Sequence, residues 1–246
     1  MSSMIELGFV IRQIGNGAKS MEEVAQRIVS CLNDYLISGS DVPDKAFALI
    51  RFFKTHPFGT LEPELRESAK AFLKGYLESP EMKCLTLLAT VGENPVWNSR
   101  KNSEGHKAIP LPNEEVVVQF PMISQLVNQF GLKVSQVLKP NPDLILELEK
   151  KTYNVFHVSD ALGCPIIPAQ KNFVEPYGIK SVLGFGSMLP SGDIFAIIMF
   201  AKVKVTHEIA EQFKTLALSV KMAILPFVEG AIFEKQAQKT FDKQTG

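Results

Sequence analysis

The last fifty residues constrain the fold most, because they combine two closely spaced strands with a long apolar-faced helix. Lys180–Met188 and Asp193–Ala201 are rich in β-branched and aromatic residues, which predicts two strands. Between them, residues 189–192 (LPSG) place Pro and Gly where a tight turn needs them. A hairpin followed by a packing helix is typical of a sheet that carries a layer of helix.

A long helix is predicted directly after this hairpin, over Thr206–Ile232. Its apolar residues recur at three- and four-residue spacing: Ile209, Phe213, Leu216, Ala217, Val220, Ile224 and Phe227. Four more apolar residues widen the stripe: Ala210, Leu218, Met222 and Val228. A helix with so much apolar surface is usually covered twice, so we expect the sheet on one side and a second copy of the chain on the other. The alternative cover is the leading segment Ile5–Ile14.

The earlier chain alternates between predicted helices and strands. Ser20 and Glu23 form a capping-box start, which predicts a helix over Ser20–Ile37. Strands are predicted at Lys45–Lys54, Lys83–Val91 and Asn154–Val158, and helices at Leu61–Leu77, Pro121–Phe130 and Leu144–Lys151. Two segments without a clear period, Gly92–Pro112 and Ser159–Tyr177, are predicted as long loops. Because there is no regular strand–helix–strand alternation, we expect an α+β fold with a mainly antiparallel sheet in one domain.

Composition excludes several classes of partner. Lys plus Arg equals Asp plus Glu at 26 each, so the chain has no net field to attract nucleic acid or an anionic membrane. The longest apolar run, near Ile194–Ala201, is far shorter than the roughly 20 residues that a membrane-spanning helix needs. The start of the chain shows no signal-peptide pattern. Cys31, Cys84 and Cys164 form neither a disulfide framework nor a metal-binding CxxC pattern, and we expect a soluble cytoplasmic protein without a metal.

Polar residues within a predicted strand and the first long loop are candidates for a ligand site. Arg51 lies among apolar neighbours, and a buried guanidinium needs an anionic or carbonyl partner, either a ligand or an internal carboxylate. The other alternative is that the side chain extends to solvent at the edge of the sheet. Trp97, Asn98, Arg100 and His106 share the loop, where an aromatic plate, an amide, a guanidinium and an imidazole can together recognise a small polar ligand. Loop packing with solvated charges is the alternative for these four residues.

Two further residues are weaker candidates. His157, between Phe156 and Val158, is expected to be a core or pocket histidine and not a metal ligand, because no second His or Cys lies at ligand spacing. Cys164 lies in a loop where oxidation or covalent attachment is feasible, although no activating base is near in sequence. Residues 184–186 (GFG) lie inside a strand and open no helix, so a dinucleotide site is not predicted. No GxSxG, HExxH or Walker-type loop occurs, and no catalytic residue is predicted.

Several stretches of residues 20 to 230 resemble a known family. KSMEEVAQRIVSCLNDYL at the start and GFGSMLPSGDIFAIIMFAKVKV at the end are similar to the first helix and the final hairpin of a GAF-type sensory domain. RFFKTHPF, CLTLLATVGENPVWNSR, GHKAIPLP and NVFHVSDALGCPIIPAQ are similar to an input module found ahead of bacterial sensor histidine kinases, the first proteins of two-component systems. No kinase, cyclase or receiver sequence follows Gln236, so the resemblance leaves the output partner open.

The resemblance implies a single GAF-like domain with helices on both faces of its sheet. In such domains a small ligand lies between the sheet and loop-borne helices on one face, while terminal helices pair in a dimer on the other and pass the signal on. The expected division is a leader at 1–19, the sensory domain at 20–232 and a helical tail at 233–246. The ligand-binding candidates are Arg51, Trp97, Asn98, Arg100, His106, His157 and Cys164, and the cofactor is unspecified.

Two other functions remain open at this point. One is a GAF-fold thiol reductase that resembles free methionine sulfoxide reductase and uses Cys84 and Cys164 as redox partners. It requires Cα atoms within about 7 Å of each other. The other is an interaction module whose pocket is filled by phenylalanine, of which the chain has 17.

Overall fold

The computed structural model describes residues 2–36, 45–73, 75–141, 143, 145, 147, 153–167 and 169–234. Within them one sheet contains six strands: β1 (Phe47–Pro57), β2 (Lys83–Gly92), β3 (Ala108–Leu111), β4 (Phe156–Val158), β5 (Ser181–Met188) and β6 (Ile194–Ala201). Their order across the sheet is β3-β2-β1-β6-β5-β4, and every neighbouring pair is antiparallel. The predicted α+β class with an antiparallel sheet is confirmed.

The helices are α1 (Ser2–Ile14), α2 (Met21–Tyr35), α3 (Pro63–Leu73), α4 (Glu114–Val118), α5 (Pro121–Gln129), α6 (Val134–Leu138), α7 (His207–Gln212) and α8 (Lys214–Ile224). The predicted start of α2 is confirmed, because the Ser20 hydroxyl accepts the Glu23 amide at 3.1 Å. The predicted helix Leu144–Lys151 lies largely outside the described residues.

The first face of the sheet is covered by the long helices. Apolar residues of α1, α2 and α8 share one core with Ile50 and Phe52 of β1 and with the inward residues of β6. Helix α1 packs directly on α8, where a side chain at Gly15 would meet the Ala223 carbonyl at 2.6 Å. Residues 2–14 are thus part of the same core as the sheet, and α1 provides the intrachain cover for α8 that the sequence left as an alternative.

The second face is covered by short helices and long loops. Apolar residues of α4, α5 and α6 pack with Leu49 and Phe53 of β1, with Leu87 of β2 and with the loop between β4 and β5. That loop contains a π-helical turn at Gln170–Val174. Helices therefore lie on both faces, as predicted, but the second face has shorter elements and more irregular backbone to carry a site.

Two predicted elements differ from the structure. The expected loop Gly92–Pro112 contains β3, a four-residue strand held by its pairing with β2. The expected single helix Thr206–Ile232 consists of α7 and α8, separated at Phe213, and α8 ends at Ile224. Pro226 follows in a 3-10 turn, because proline lacks the N–H group that would continue the helix.

Gly184 and Gly186 allow close packing within the sheet, and they do not form a nucleotide-binding loop. A side chain at Gly186 would meet the Phe195 carbonyl at 2.1 Å and Phe130 at 2.9 Å, so only glycine lets β5, β6 and α5 approach this closely. In the part of the chain that the structure describes, no helix combines the length and the apolar character needed to cross a membrane.

Candidate functional site

Arg51 lies near the middle of the sheet, on the second face with Phe53. Its Nη2 group donates to the Ser103 hydroxyl at 2.7 Å and to the carbonyls of Glu104 at 3.3 Å and Gly105 at 3.4 Å. Its Nε group is buried without a hydrogen-bond partner in the described chain. No described carboxylate pairs with this guanidinium, and burial lowers the pKa of Arg51 to about 10. Within the described residues, Arg51 is therefore a buried cation whose hydrogen-bond partners are neutral.

Thr90 lies directly opposite Arg51 on β2. The two residues are Cα partners in the antiparallel pair, so their side chains point to the same face. The Thr90 side chain is fully buried, and its Oγ1 also lacks a partner among the described residues. Two unsatisfied polar groups on adjacent strands are unusual, since buried polar atoms are nearly always hydrogen-bonded.

Residues 93–107, which we call the covering loop, pass over this pair. Ser103 is fully buried against Arg51. Gly105 (φ 65°) and His106 (φ 50°) both adopt left-handed backbone, and the His106 ring stacks on Phe72 with centroids 5.8 Å apart. Partial burial and the Arg51 charge lower the pKa of His106, so its imidazole is neutral near pH 7. The predicted candidates Arg51 and His106 are therefore brought together.

Arg100, in the same loop, has the opposite environment. Its Nε and Nη2 donate to both Glu22 oxygens at 2.6 and 2.7 Å, and Nη2 also donates to Glu62 at 2.8 Å. This bidentate pair satisfies the guanidinium inside the chain and ties the covering loop to α2. The internal carboxylate that the sequence left open for Arg51 is thus present at Arg100 instead.

The end of the described chain packs on the same ion pair. Residues 231–234, here called the C-terminal segment, use the Ala231 and Ile232 carbonyls to accept the first amides of α2 at 2.9 and 2.8 Å. Glu22 accepts the Glu234 amide at 3.0 Å, and the Phe233 ring lies 5.2 Å from the Arg100 guanidinium. A cleft of about 190 Å³ beside this contact is lined by Glu22, Gln26, Asn98, Ser99, Arg100, Lys101 and Glu234.

Trp97 and Asn98 anchor the beginning of the covering loop, through ring packing and a hydrogen bond respectively. The Trp97 ring lies 4.6 Å from Tyr177 and 5.6 Å from Phe173, and Phe173 packs edge-on against Phe200 at 4.9 Å. Asn98 accepts the Gly92 amide at 2.9 Å and is exposed. The aromatic cluster fills sheet surface next to the Arg51 site, and the amide closes the turn after β2.

His157 lies away from Arg51, on the edge strand β4. Its Nε2 is 2.8 Å from the Val205 carbonyl, and its ring is 5.9 Å from that of His207. A surface cleft of about 460 Å³ is lined there by Gln129, Asn154, Val155, His157, His207, Glu211 and Lys214. Among the described residues, no group of three or more His, Cys, Asp or Glu side chains is arranged to hold a metal ion.

The cysteines do not support a redox pair. Cys84 is buried in β2 against α3, and burial raises the pKa of its thiol to about 12. Cys164 follows β4 and packs with the second-face core. Three strands separate β2 from β4, which places these strands roughly 19 Å apart. Cys84 and Cys164 are free thiols that pack in different apolar clusters, an arrangement that gives the reductase alternative no support.

A further buried ion cluster was not anticipated from the sequence. Asp193, just before β6, accepts from Lys54 at 2.9 Å and from Lys83, and it also accepts the hydroxyls of Thr55 at 3.2 Å and Ser191 at 3.0 Å. Burial alone would raise the pKa of Asp193, but the two ammonium groups outweigh it and lower the pKa to about 2. This cluster joins β1, β2 and the hairpin turn, because Lys54 and Thr55 belong to β1, Lys83 to β2 and Ser191 to the turn.

Comparison with known proteins finds no matching family model and no match among curated proteins. Among solved structures, the chain is similar to the phycocyanobilin-bound GAF domain from a cyanobacterial phytochrome, with 10% identity, 92% of this chain and 93% of that chain covered, and a TM-score of 0.42. It is also similar to the phycoerythrobilin-bound GAF domain from a cyanobacterial phytochrome, with 12% identity, coverage of 92% and 96%, and a TM-score of 0.39.

Proposed function

We propose that this chain is a small-molecule-binding sensory domain whose ligand binds at Arg51, between the sheet and the covering loop. The observation that carries the proposal is the buried guanidinium that no described carboxylate neutralises. Burying an unpaired charge costs several kcal/mol. The nearby Arg100 is paired with the internal carboxylate of Glu22, whereas Arg51 has no such partner among the described residues. In this proposal Arg51 and His106 contact the ligand, while Trp97, Asn98 and Arg100 position the loop.

In this proposal, ligand binding changes the position of the covering loop, and the contacts of Arg100 pass that change to α2 and the C-terminal segment. The covering loop is joined to Arg51 at Ser103 and to Glu22 at Arg100, and Glu22 also holds the amide of Glu234. A ligand that displaces the loop therefore weakens the Arg100–Glu22 ion pair, and Glu22 is the residue that accepts the amide of the C-terminal segment. The output would be a partner protein or a following signalling domain of a two-component system.

A homodimer through the terminal helices is part of the proposal. Ile5 and Phe9 of α1, and Leu218 and Met222 of α8, remain more than half exposed although the two helices pack on each other. Each pair is spaced by four residues and so faces one side of its helix. Exposed apolar surface on two adjacent helices is typical of a self-complementary interface.

The second candidate function is an interaction module. It is favoured by the cluster of Trp97, Phe173, Tyr177 and Phe200, which occupies sheet surface beside Arg51. An interaction module would retain no small molecule, so the presence or absence of a bound small molecule distinguishes the two functions.

The test is native mass spectrometry after incubation with the small-molecule fraction of the protein's own host. We expect an added mass on the wild type that Arg51→Met loses. Lys101→Met is the matched control, because it removes an exposed cation from the same loop and should keep the added mass. A folded wild type without any added mass would contradict ligand binding and favour the interaction module.

A further inference from the structure

We propose that the ligand is a small monocarboxylic acid, and that its carboxylate binds Arg51 Nε and Thr90 Oγ1. This inference rests on the proposed function and names the chemical class of its ligand. The two atoms belong to cross-strand partners, point to the same face of the sheet and lack hydrogen bonds among the described residues.

The charge of the ligand follows from a comparison of the two buried arginines. Arg51 is 9% exposed and Arg100 is 6% exposed, so both lose most of their hydration. Arg100 has the carboxylates of Glu22 and Glu62 in place of water, whereas the hydrogen bonds of Arg51 within the described chain go to one hydroxyl and two carbonyls. A single negative charge would give Arg51 the compensation that Arg100 already has.

A second negative charge would have no partner. Among the described residues, His106 is affected electrostatically by Arg51, and it is neutral near pH 7 because burial and the Arg51 charge lower its pKa. A dicarboxylate or a phosphate dianion would therefore bury charge that nothing neutralises. This argument selects a monoanion.

The arrangement of donors selects a carboxylate. The Nε and Nη2 groups lie on one edge of a guanidinium, and a carboxylate accepts from both at once. Nη2 has one short bond, to Ser103, and two long ones to carbonyls at 3.3 and 3.4 Å that a carboxylate oxygen can replace. The Thr90 hydroxyl then donates to the bound carboxylate. The three donors, Arg51 Nε, Arg51 Nη2 and Thr90 Oγ1, can therefore bind the two oxygens of one planar carboxylate.

The surroundings determine the rest of the ligand. Phe53 and Ile198 flank Arg51 on the sheet, and both are buried apolar side chains. The Arg51 guanidinium also lies 5.8 Å from the Phe53 ring. The body of the acid is therefore small and apolar. Because Ser103 closes over Arg51, the acid enters only when the covering loop moves.

The experiment compares acids with their neutral amides. Acetate, butyrate and benzoate are titrated into the intact chain by calorimetry at pH 7, beside butyramide, benzamide and succinate. We expect a monocarboxylate to bind, and Arg51→Met to weaken it at least thirtyfold, the equivalent of about 2 kcal/mol for a lost buried charge pair. Thr90→Val should weaken it about tenfold, as loss of one hydrogen bond to a charged group does. Lys101→Met should leave the affinity unchanged.

Three results would overturn the proposal. They are the absence of binding by all the acids at millimolar concentration, equal binding of acids and amides, and an affinity that Arg51→Met does not change. Should Arg51→Met fail to fold, Arg51→Lys replaces it, since it keeps the charge and loses the bidentate edge. A neutral host molecule that binds only with the covering loop intact would overturn the carboxylate class while leaving the sensory function in place.

Discussion

Arg51 and Arg100 have the same side chain and similar burial, and their different partners make opposite predictions for stability. Arg100→Met leaves Glu22 and Glu62 without their cation, so we expect it to lower the free energy of unfolding by about 3–5 kcal/mol. Arg51→Met removes a charge that no carboxylate of the described residues pairs with, so we expect a free energy of unfolding within about 1 kcal/mol of the wild type or above it. Urea unfolding of the two variants measures the difference. Equal destabilisation by both would mean that neutral oxygens satisfy Arg51.

His56 makes the stability depend on pH between about 3 and 6.5. Its ring is buried, its Nε2 lacks a partner among the described residues, and burial lowers its pKa to about 3. The unfolded chain takes up a proton below its ordinary pKa of about 6.5, whereas the folded chain does not until about pH 3. The unfolded state therefore binds more protons in this range, and the free energy of unfolding falls as pH is lowered, by up to about 5 kcal/mol. In His56→Phe the slope between about pH 4 and pH 6.5 should be much smaller than in the wild type, as measured by urea unfolding at several pH values.

Asp193 acts in a lower range of pH. Its pKa is about 2 in the folded chain, below the ordinary value, because Lys54 and Lys83 outweigh the effect of burial. The carboxylate therefore stabilises the fold by about 2 kcal/mol above pH 4, and this is lost as pH falls toward 2. Asp193→Asn should destabilise the protein at pH 7, and its difference from the wild type should shrink at pH 2. A difference that does not change with pH would contradict the role of the charge.

At the scale of elements, the C-terminal segment and the covering loop share Arg100 and Glu22. Phe233→Ala removes the ring that packs on Arg100, so we expect faster hydrogen exchange at the Glu234 amide and also at the Ser103 amide of the loop. Loss of a partly buried ring costs roughly 1.5 kcal/mol, which corresponds to about tenfold in exchange. Phe227→Ala is the control, because Phe227 is partly buried against the first-face core. A loop whose exchange is unchanged would exclude this route of transmission.

The strands that the sequence could predict differ in length and composition from the one that it could not. β1, β2, β5 and β6 are buried along most of their length, and their runs of apolar residues made them predictable as strands. β3 has four residues and a proline, so its strand conformation comes from pairing with β2 and not from its own preference.

At the scale of the whole molecule, the proposed dimer depends on apolar residues that the fold leaves exposed. Phe9→Glu and Leu218→Glu should each convert a dimeric wild type to a monomer at tens of micromolar, because a buried charge at a self-complementary interface is introduced twice. Sedimentation equilibrium of the intact chain measures this. Leu77→Glu is the control, since Leu77 is almost fully exposed and follows α3 on another part of the surface. A folded wild type that remains monomeric would rule the dimer out.

The sequence by itself determined the fold class and the position of Arg51 among buried residues. Apolar periodicity, the Ser20 cap and the hairpin turn depend on residues within a few positions of each other, so they can be read without knowledge of the rest of the chain. The same local signals placed Trp97, Asn98, Arg100 and His106 in one loop.

Only the tertiary structure decided which of these residues are partners. Arg100 meets Glu22, 78 positions away, while Arg51 meets Ser103 and stands opposite Thr90. The pairing with Thr90 is set by the register of β1 and β2, which shifts between Phe52 and Phe53. A one-residue change of register reverses the face of every side chain, and no local pattern specifies it. The distribution of charge partners, and with it the proposed ligand site, therefore follows from long-range packing.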